Sequence, residues 1–341
     1  LRAQSGDFIV KADASGDYER LLRRLTVLSD SVAEQFNQRI IDQPAIRRLL
    51  PVMKLHVESK HDNPIVTILN TSQDIDFKQL LFDMDMSPET GINGKGFVHS
   101  LTTGDMLLDT INFSLVQRKN HLSFQGQVRN NKKNPRFVFN TLVDGLIQER
   151  GATFGVRYYD ANDRLGIRLG AKAEMVDSGI NLHLMPERPT IGYKEFNLNP
   201  DNFVLLTRGH KVQTKIDLIA DDGTGVKIYS DDSDPTTQQD ITISLNKLNL
   251  GEVTSVLPYY LPQMTGILNG DYHVIQDAGG HFSMVSDMSV RDMTYEHSPI
   301  GNVSTELMYL QKEDDAHAIE ARLMKDDNEI GLLTGTYYNT S

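Results

Sequence analysis

The 341-residue chain carries 34 basic and 46 acidic side chains, a net charge of −12, and neither cysteine nor tryptophan. The missing cysteine excludes disulfides and thiolate metal sites. The interspersed charges argue against a nucleic-acid scaffold or a polybasic membrane surface, and no run of 18 apolar residues is present to span a bilayer as a helix.

The first residue is Leu1, and Ser341 directly follows a strand-like run, so the chain reads as a piece of something longer. The absence of a targeting signal therefore carries little weight. Phe8 to Ala14 reads as a strand, and Ser15-Gly16-Asp17 offers an N-cap for a helix. Leu21, Leu25, Leu28, Val32, Phe36 and Ile40 then recur at three- and four-residue spacing, an amphipathic stripe expected to pack on an adjacent sheet. Arg20, Arg23 and Arg24 on one turn would alternatively suit anionic headgroups. Asp42-Gln43-Pro44 ends this helix, and a short second one is expected over 44–50. Residues 1–51 thus form a strand plus amphipathic helices, and no other region is strongly helical.

From Val52 the pattern changes to period two, the signature of strands with one apolar and one polar face. Met53, Leu55 and Val57 alternate with Lys54, His56 and Glu58, and Val212, Thr214, Ile216 and Leu218 with Gln213, Lys215 and Asp217. His317, Ile319, Ala321 and Leu323 alternate with Ala318, Glu320 and Arg322. Hairpin turns are supplied by Asp160-Ala161-Asn162-Asp163, Asp221-Asp222-Gly223 and Asp277-Ala278-Gly279-Gly280. This predicts roughly sixteen to eighteen strands over residues 52–341, with a sub-boundary near 186–200 and an acidic loop over 230–239. One later helix is expected from Leu250 to Leu257. The fold class is mainly β. A sheet beyond about ten strands tends to curl or split, so the expectation is one long curled antiparallel sheet making an apolar gutter, with the helical segment at its N-terminal end.

Nothing points to catalysis. The ten histidines are scattered without zinc-site spacing. Asp74/Asp76 and Asp83/Asp85 are i,i+2 pairs, each expected to share a strand face as solvated carboxylates. Gly91-Ile92-Asn93-Gly94-Lys95-Gly96 has no helix after it and reads as a bend or bulge, not a nucleotide loop. No cofactor and no metal is expected.

The pattern Gly-(Ile/Leu)-Leu-x-Gly-x-Tyr occurs twice, at Gly266–Tyr272 and Gly331–Tyr337. It belongs to an ordered set that begins Leu248-Asn249-Leu250-Gly251-Glu252 and runs through Leu257-Pro258, Leu261-Pro262 and Ser298-Pro299-Ile300-Gly301-Asn302-Val303. Together with Tyr193-x-x-Phe196-x-Leu198-Asn199 and Ala220-Asp221-Asp222-Gly223, this order over roughly 91–341 resembles the TamB family, within the AsmA-like group. These are the translocation and assembly module subunits of Gram-negative bacteria. The resemblance implies a half-open β-taco groove in the periplasm, with the full-length protein anchored in the inner membrane by a segment outside this chain. It also implies movement of phospholipid between inner and outer membranes, and assembly of outer-membrane proteins with a barrel of the Omp85 class. The long N-terminal helix departs from a pure β-taco.

The implied partners are phospholipid acyl chains, that barrel and outer-membrane protein clients, with no nucleic acid. Alternation puts Val303, Leu307, Tyr309, Ile319, Ala321 and Leu323 on the groove side, with Glu306, Glu320 and Arg322 toward water. A closed sandwich core would use the same residues. The competing functions are a scaffold that binds clients by strand addition, and a surface-exposed binding module, which 7% aromatics and no tryptophan disfavour.

Overall fold

The computed structural model describes residues 1–104, 106–130, 133–134, 138–234, 236–254, 262–312 and 316–338. The protein is mainly β, about 65% strand, and its strands form one long antiparallel sheet that is not closed. The described residues contain 23 strands, 21 of them from Met53 on, more than alternation alone suggests because three of these are two-residue pairings that carry no readable period. The chain divides into compact units at Leu1–Ile180 and Asn181–Ser341, not at 51/52 and just ahead of the 186–200 sub-boundary.

The first unit contains β1 (Arg2–Ser5), β2 (Phe8–Ala14), α1 (Tyr18–Asn37), α2 (Gln43–Leu49), β3 (Met53–Lys60) and α3 (Pro64–Gln73). It continues with β4 (Ile75–Asp76), β5 (Gln79–Ser87), β6 (Gly91–Thr103), β7 (Met106–Arg118), β8 (His121–Asn130), β9 (Phe139–Gln148), β10 (Gly151–Asp160) and β11 (Leu165–Val176). Successive strands pair as an antiparallel meander, except that β3 pairs directly with β5 while β4 pairs with β6. β2 pairs with β3 from Ile9↔Glu58 to Ala14↔Met53, so both helices α1 and α2 are an insertion between neighbouring strands. This pairing is why residues 1–51 are not a separate domain.

Asp17 caps α1 as expected, its Oδ1 accepting from the Arg20 N–H at 2.8 Å, and Asp42 caps α2 in the same way toward Ala45. The α1 stripe is only partly covered. Leu21, Leu25 and Leu28 are half-buried, whereas Val32 and Phe36 are exposed, and the Arg39 guanidinium lies over the Phe36 ring. No residue of α1 is fully buried, so the helix gains less from packing than its sequence promises.

α3 is absent from the period-two reading. Its Ile65-Val66-Thr67-Ile68 run is rich in β-branched residues and looks like a strand. The local caps decide otherwise. Asn63 accepts from Val66 N–H, Pro64 opens the helix, and Asp74 closes it in the left-handed region at φ 53°. Asp74 is therefore a cap, not a strand partner of Asp76.

Direct cross-strand partners share one face, so register maps the sheet. One row on the apolar face of the first unit runs Val57, Phe82, Gly96, Phe113, Gly126, Val143. Large and small residues alternate across strands. A Cβ on Gly96 would lie 2.5 Å from the Phe113 ring and 2.9 Å from the Leu81 carbonyl oxygen. Phe124 covers Gly145 in the same manner.

The second unit takes in β12 (Gly179–Ile191) from Asn181 on, then β13 (Lys194–Glu195), β14 (Asn197–Leu198), β15 (Phe203–Thr207), β16 (Val212–Ile219), β17 (Gly225–Ser230) and β18 (Thr237–Asn249). It ends with α4 (Leu250–Thr254), β19 (Met264–Asp277), β20 (Phe282–Tyr295), β21 (Ser298–Gln311), β22 (Ala316–Lys325) and β23 (Asn328–Tyr338). The helix expected over 250–257 is seen as α4, while 255–261, with part of the Leu-Pro signature, lies outside the described residues. From β16 onward each strand pairs with the next. The dense core sits at one end, where Phe196, Leu198, Ile216, Leu218 and Ala220 are buried together.

Candidate functional site

The six strands β18–β23 carry a continuous apolar face whose rows follow from register. One row is Ile243, Tyr272, Ser286, Leu307, Ala321, Leu333. Beside it toward one strand end runs Ile241, Val274, Met284, Tyr309, Ile319, Gly335. Toward the other end come Leu245, Gly270, Met288, Thr305, Leu323, Gly331, and then Leu248, Leu268, Val290, Val303. All six residues singled out by alternation therefore lie on this one face, with Leu307 opposite Ala321 and Tyr309 opposite Ile319.

This face is not sealed. Of the residues named on it only Ser286 is fully buried; Val303, Leu307, Tyr309, Ile319 and Ala321 are half-buried. Exposure rises toward the last strand, from 38% at Leu323 to 58% at Leu333. Burial of this degree differs from the closed core at Ile216 and Leu218, and a sandwich interior would match that core instead.

The row at one strand end is polar: Gln276, Gln311, His317 and Tyr337, with Phe282 between. His317 stacks on Tyr337 with ring centroids 4.7 Å apart, and the Tyr309 hydroxyl is 2.6 Å from His317 Nδ1. Burial pushes the Tyr309 phenol above its ordinary value, and hydrogen bonding with Tyr337 acts in the same direction. Alternation grouped His317 with the apolar residues; the polar row is readable only once the neighbours in register are known.

The opposite face is charged. Glu306 lies between Asp287 and Arg322, and Arg322 Nη2 donates to Glu320 Oε1 at 2.9 Å. Val285 and Met308 interrupt this polar face and border a cavity of about 350 Å³ with those groups. In the first unit the polar face holds a larger cavity of about 580 Å³, lined by Lys11, Lys54, His56, Asp83, Asp85 and Lys95. There His56 Nδ1 lies 2.6 Å from Asp83, and Lys54 pairs with Asp85, so Asp83 and Asp85 do share a strand face. Among the described residues no group of three histidine or carboxylate side chains is placed to hold a metal ion. No described helix is long and apolar enough to cross a membrane.

No family model matches the chain, and no curated protein or solved structure is significantly similar to it.

Proposed function

We propose that the apolar face of β18–β23 carries phospholipid acyl chains, as a groove segment of a TamB-like envelope protein. On this reading the protein works in the periplasm, moves phospholipid between inner and outer membranes, and supports outer-membrane protein assembly with an Omp85-class barrel. It performs no chemistry of its own. The observation that carries the reading is an apolar face several rows deep, left half-exposed in an unclosed sheet. A surface of this kind is costly in water unless something covers it. An acyl chain gains about 0.8 kcal/mol per buried methylene, so a tail of sixteen carbons has ample driving force to leave water for such a face.

Native mass spectrometry of the purified protein tests this directly. Co-purifying phospholipid, or uptake from vesicles, is the expected result; protein that neither retains nor acquires lipid overturns it. A second reading, strand addition, draws on β23. From Ile330 to Tyr338 this strand has no charge and no proline, and among the described residues only β22 pairs with it. Edges are usually protected by such residues. Leu332→Lys would block strand addition and leave lipid uptake intact, which separates the two.

A further inference from the structure

We infer that Gln276, Gln311, His317 and Tyr337, a row of uncharged hydrogen-bonding groups along one rim of the face, hold the phosphate-ester end of a phospholipid whose acyl chain lies along the strands. This rests on the lipid-carrying reading above.

The argument starts from register. Gln276 is one row out from Val274, Gln311 one row out from Tyr309, and His317 one row out from Ile319. Tyr337 pairs directly with His317, and Gln311 pairs with His317 from the other side. The four groups thus end β19, β21, β22 and β23 on the same face, with Phe282 of β20 between the first two, at about 4.8 Å from one strand to the next. Inward from them the apolar rows extend from Tyr309 to Val303. Six residues at about 3.4 Å each give roughly 20 Å. Half the hydrocarbon thickness of a bilayer is about 15 Å, so one acyl chain fits along a strand with its ester end at the rim. The far end is aliphatic at Leu248, Leu268, Val290 and Val303, with Lys325 paired to Val303 and the Asp326 carboxylate bonded to Asn302. That end offers a single cation at one strand, not a row.

The rim groups have capacity to spare. Gln276 Nε2 donates to the Gly280 carbonyl, and Gln311 Oε1 accepts from the Phe282 N–H. Gln311 Nε2 and His317 Nε2 have no hydrogen-bond partner among the described residues. Donors of this kind suit phosphate and ester oxygens. No lysine or arginine belongs to the row, so it senses hydrogen-bond acceptors and not net charge. The expected ligand class is therefore glycerophospholipid irrespective of headgroup charge. Repetition of the row across β21, β22 and β23 would let a headgroup pass sideways between Gln311, His317 and Tyr337.

The test uses the whole chain with vesicles of phosphatidylethanolamine or phosphatidylglycerol, and diphenylhexatriene as a probe with no polar end. Wild type should take up both lipids equally. Gln311→Leu and His317→Phe should each weaken lipid uptake about five-fold, the worth of one net hydrogen bond, while diphenylhexatriene binding holds. Tyr337→Phe, which removes one hydroxyl at an exposed position, guards against a folding artefact and should act in the same direction. Rim variants that load lipid like wild type, in a protein where Leu307→Asp does block loading, overturn the rim assignment and leave the groove reading standing. Loss of loading in neither set defeats both. A marked preference for phosphatidylglycerol that Lys325→Glu removes places the headgroup at the far end and also overturns the inference.

Discussion

Leu307→Asp is the most informative perturbation, because an open face and a closed core give opposite outcomes. Leu307 is half-buried between Ser286 and Ala321 on adjacent strands. Complete burial of a leucine is worth about 1.5–3 kcal/mol, so the half that is covered contributes about 1 kcal/mol. The new carboxylate keeps access to water and escapes the several kcal/mol of full desolvation. The variant should remain folded with a modest fall in melting temperature. Its effect on lipid should be larger. A charge in the middle row displaces about three methylenes, each worth about 0.8 kcal/mol, which lowers affinity on the order of fifty-fold. The assay is photo-crosslinking to a tail-labelled phospholipid, with circular dichroism as the folding control. Glu320→Ala on the opposite face is the comparison; it removes only an exposed pair with Arg322 and should cost under about 1 kcal/mol with normal crosslinking. A folded Leu307→Asp protein that crosslinks lipid normally refutes the groove assignment. Global unfolding would instead mean that the face is a sealed core.

Gly96→Ala should destabilise by about 1–3 kcal/mol in chemical denaturation, since its Cβ meets the Phe113 ring and the Leu81 carbonyl; Gly335→Ala, with nothing within 4 Å, should be neutral or better. Asn63→Ala removes the α3 cap and the buried amide bonds to Asp7, Ser59 and Lys60, for a loss of about 2–3 kcal/mol; an unchanged denaturation midpoint would count against the capping account of α3. Acid should weaken the second unit. Asp222 is held well below the usual carboxylate range by the Thr224 N–H and by Lys194; Asp234 is held low by Thr236, and Asp277 by His281. Their folded values lie below the unfolded one of about 3.9, so the stability they add is complete above that pH and is lost as pH falls through the folded values. Denaturation midpoints equal at pH 6 and pH 3 would contradict this.

Much of the architecture was legible in the sequence because strand faces are local. The alternation at Met53–Val57, Val212–Leu218 and His317–Leu323 fixes which side chains share a face, whatever the neighbouring strand is. The caps at Asp17 and Asp42 are local too, and both helices start where those residues stand. α3 escaped because its β-branched interior and its caps disagree, and the caps prevailed.

What only tertiary structure decided is everything that depends on which residues stand opposite one another. The polar rim is scattered over four strands between Gln276 and Tyr337, and no spacing along the chain marks it. The sealing of Ile216 beside the exposure of Leu333 is equally invisible, since both are aliphatic residues on strands. The physical reason is that period two specifies a face within one strand, whereas register and coverage are set by hydrogen bonding between strands distant in sequence and by what packs upon them.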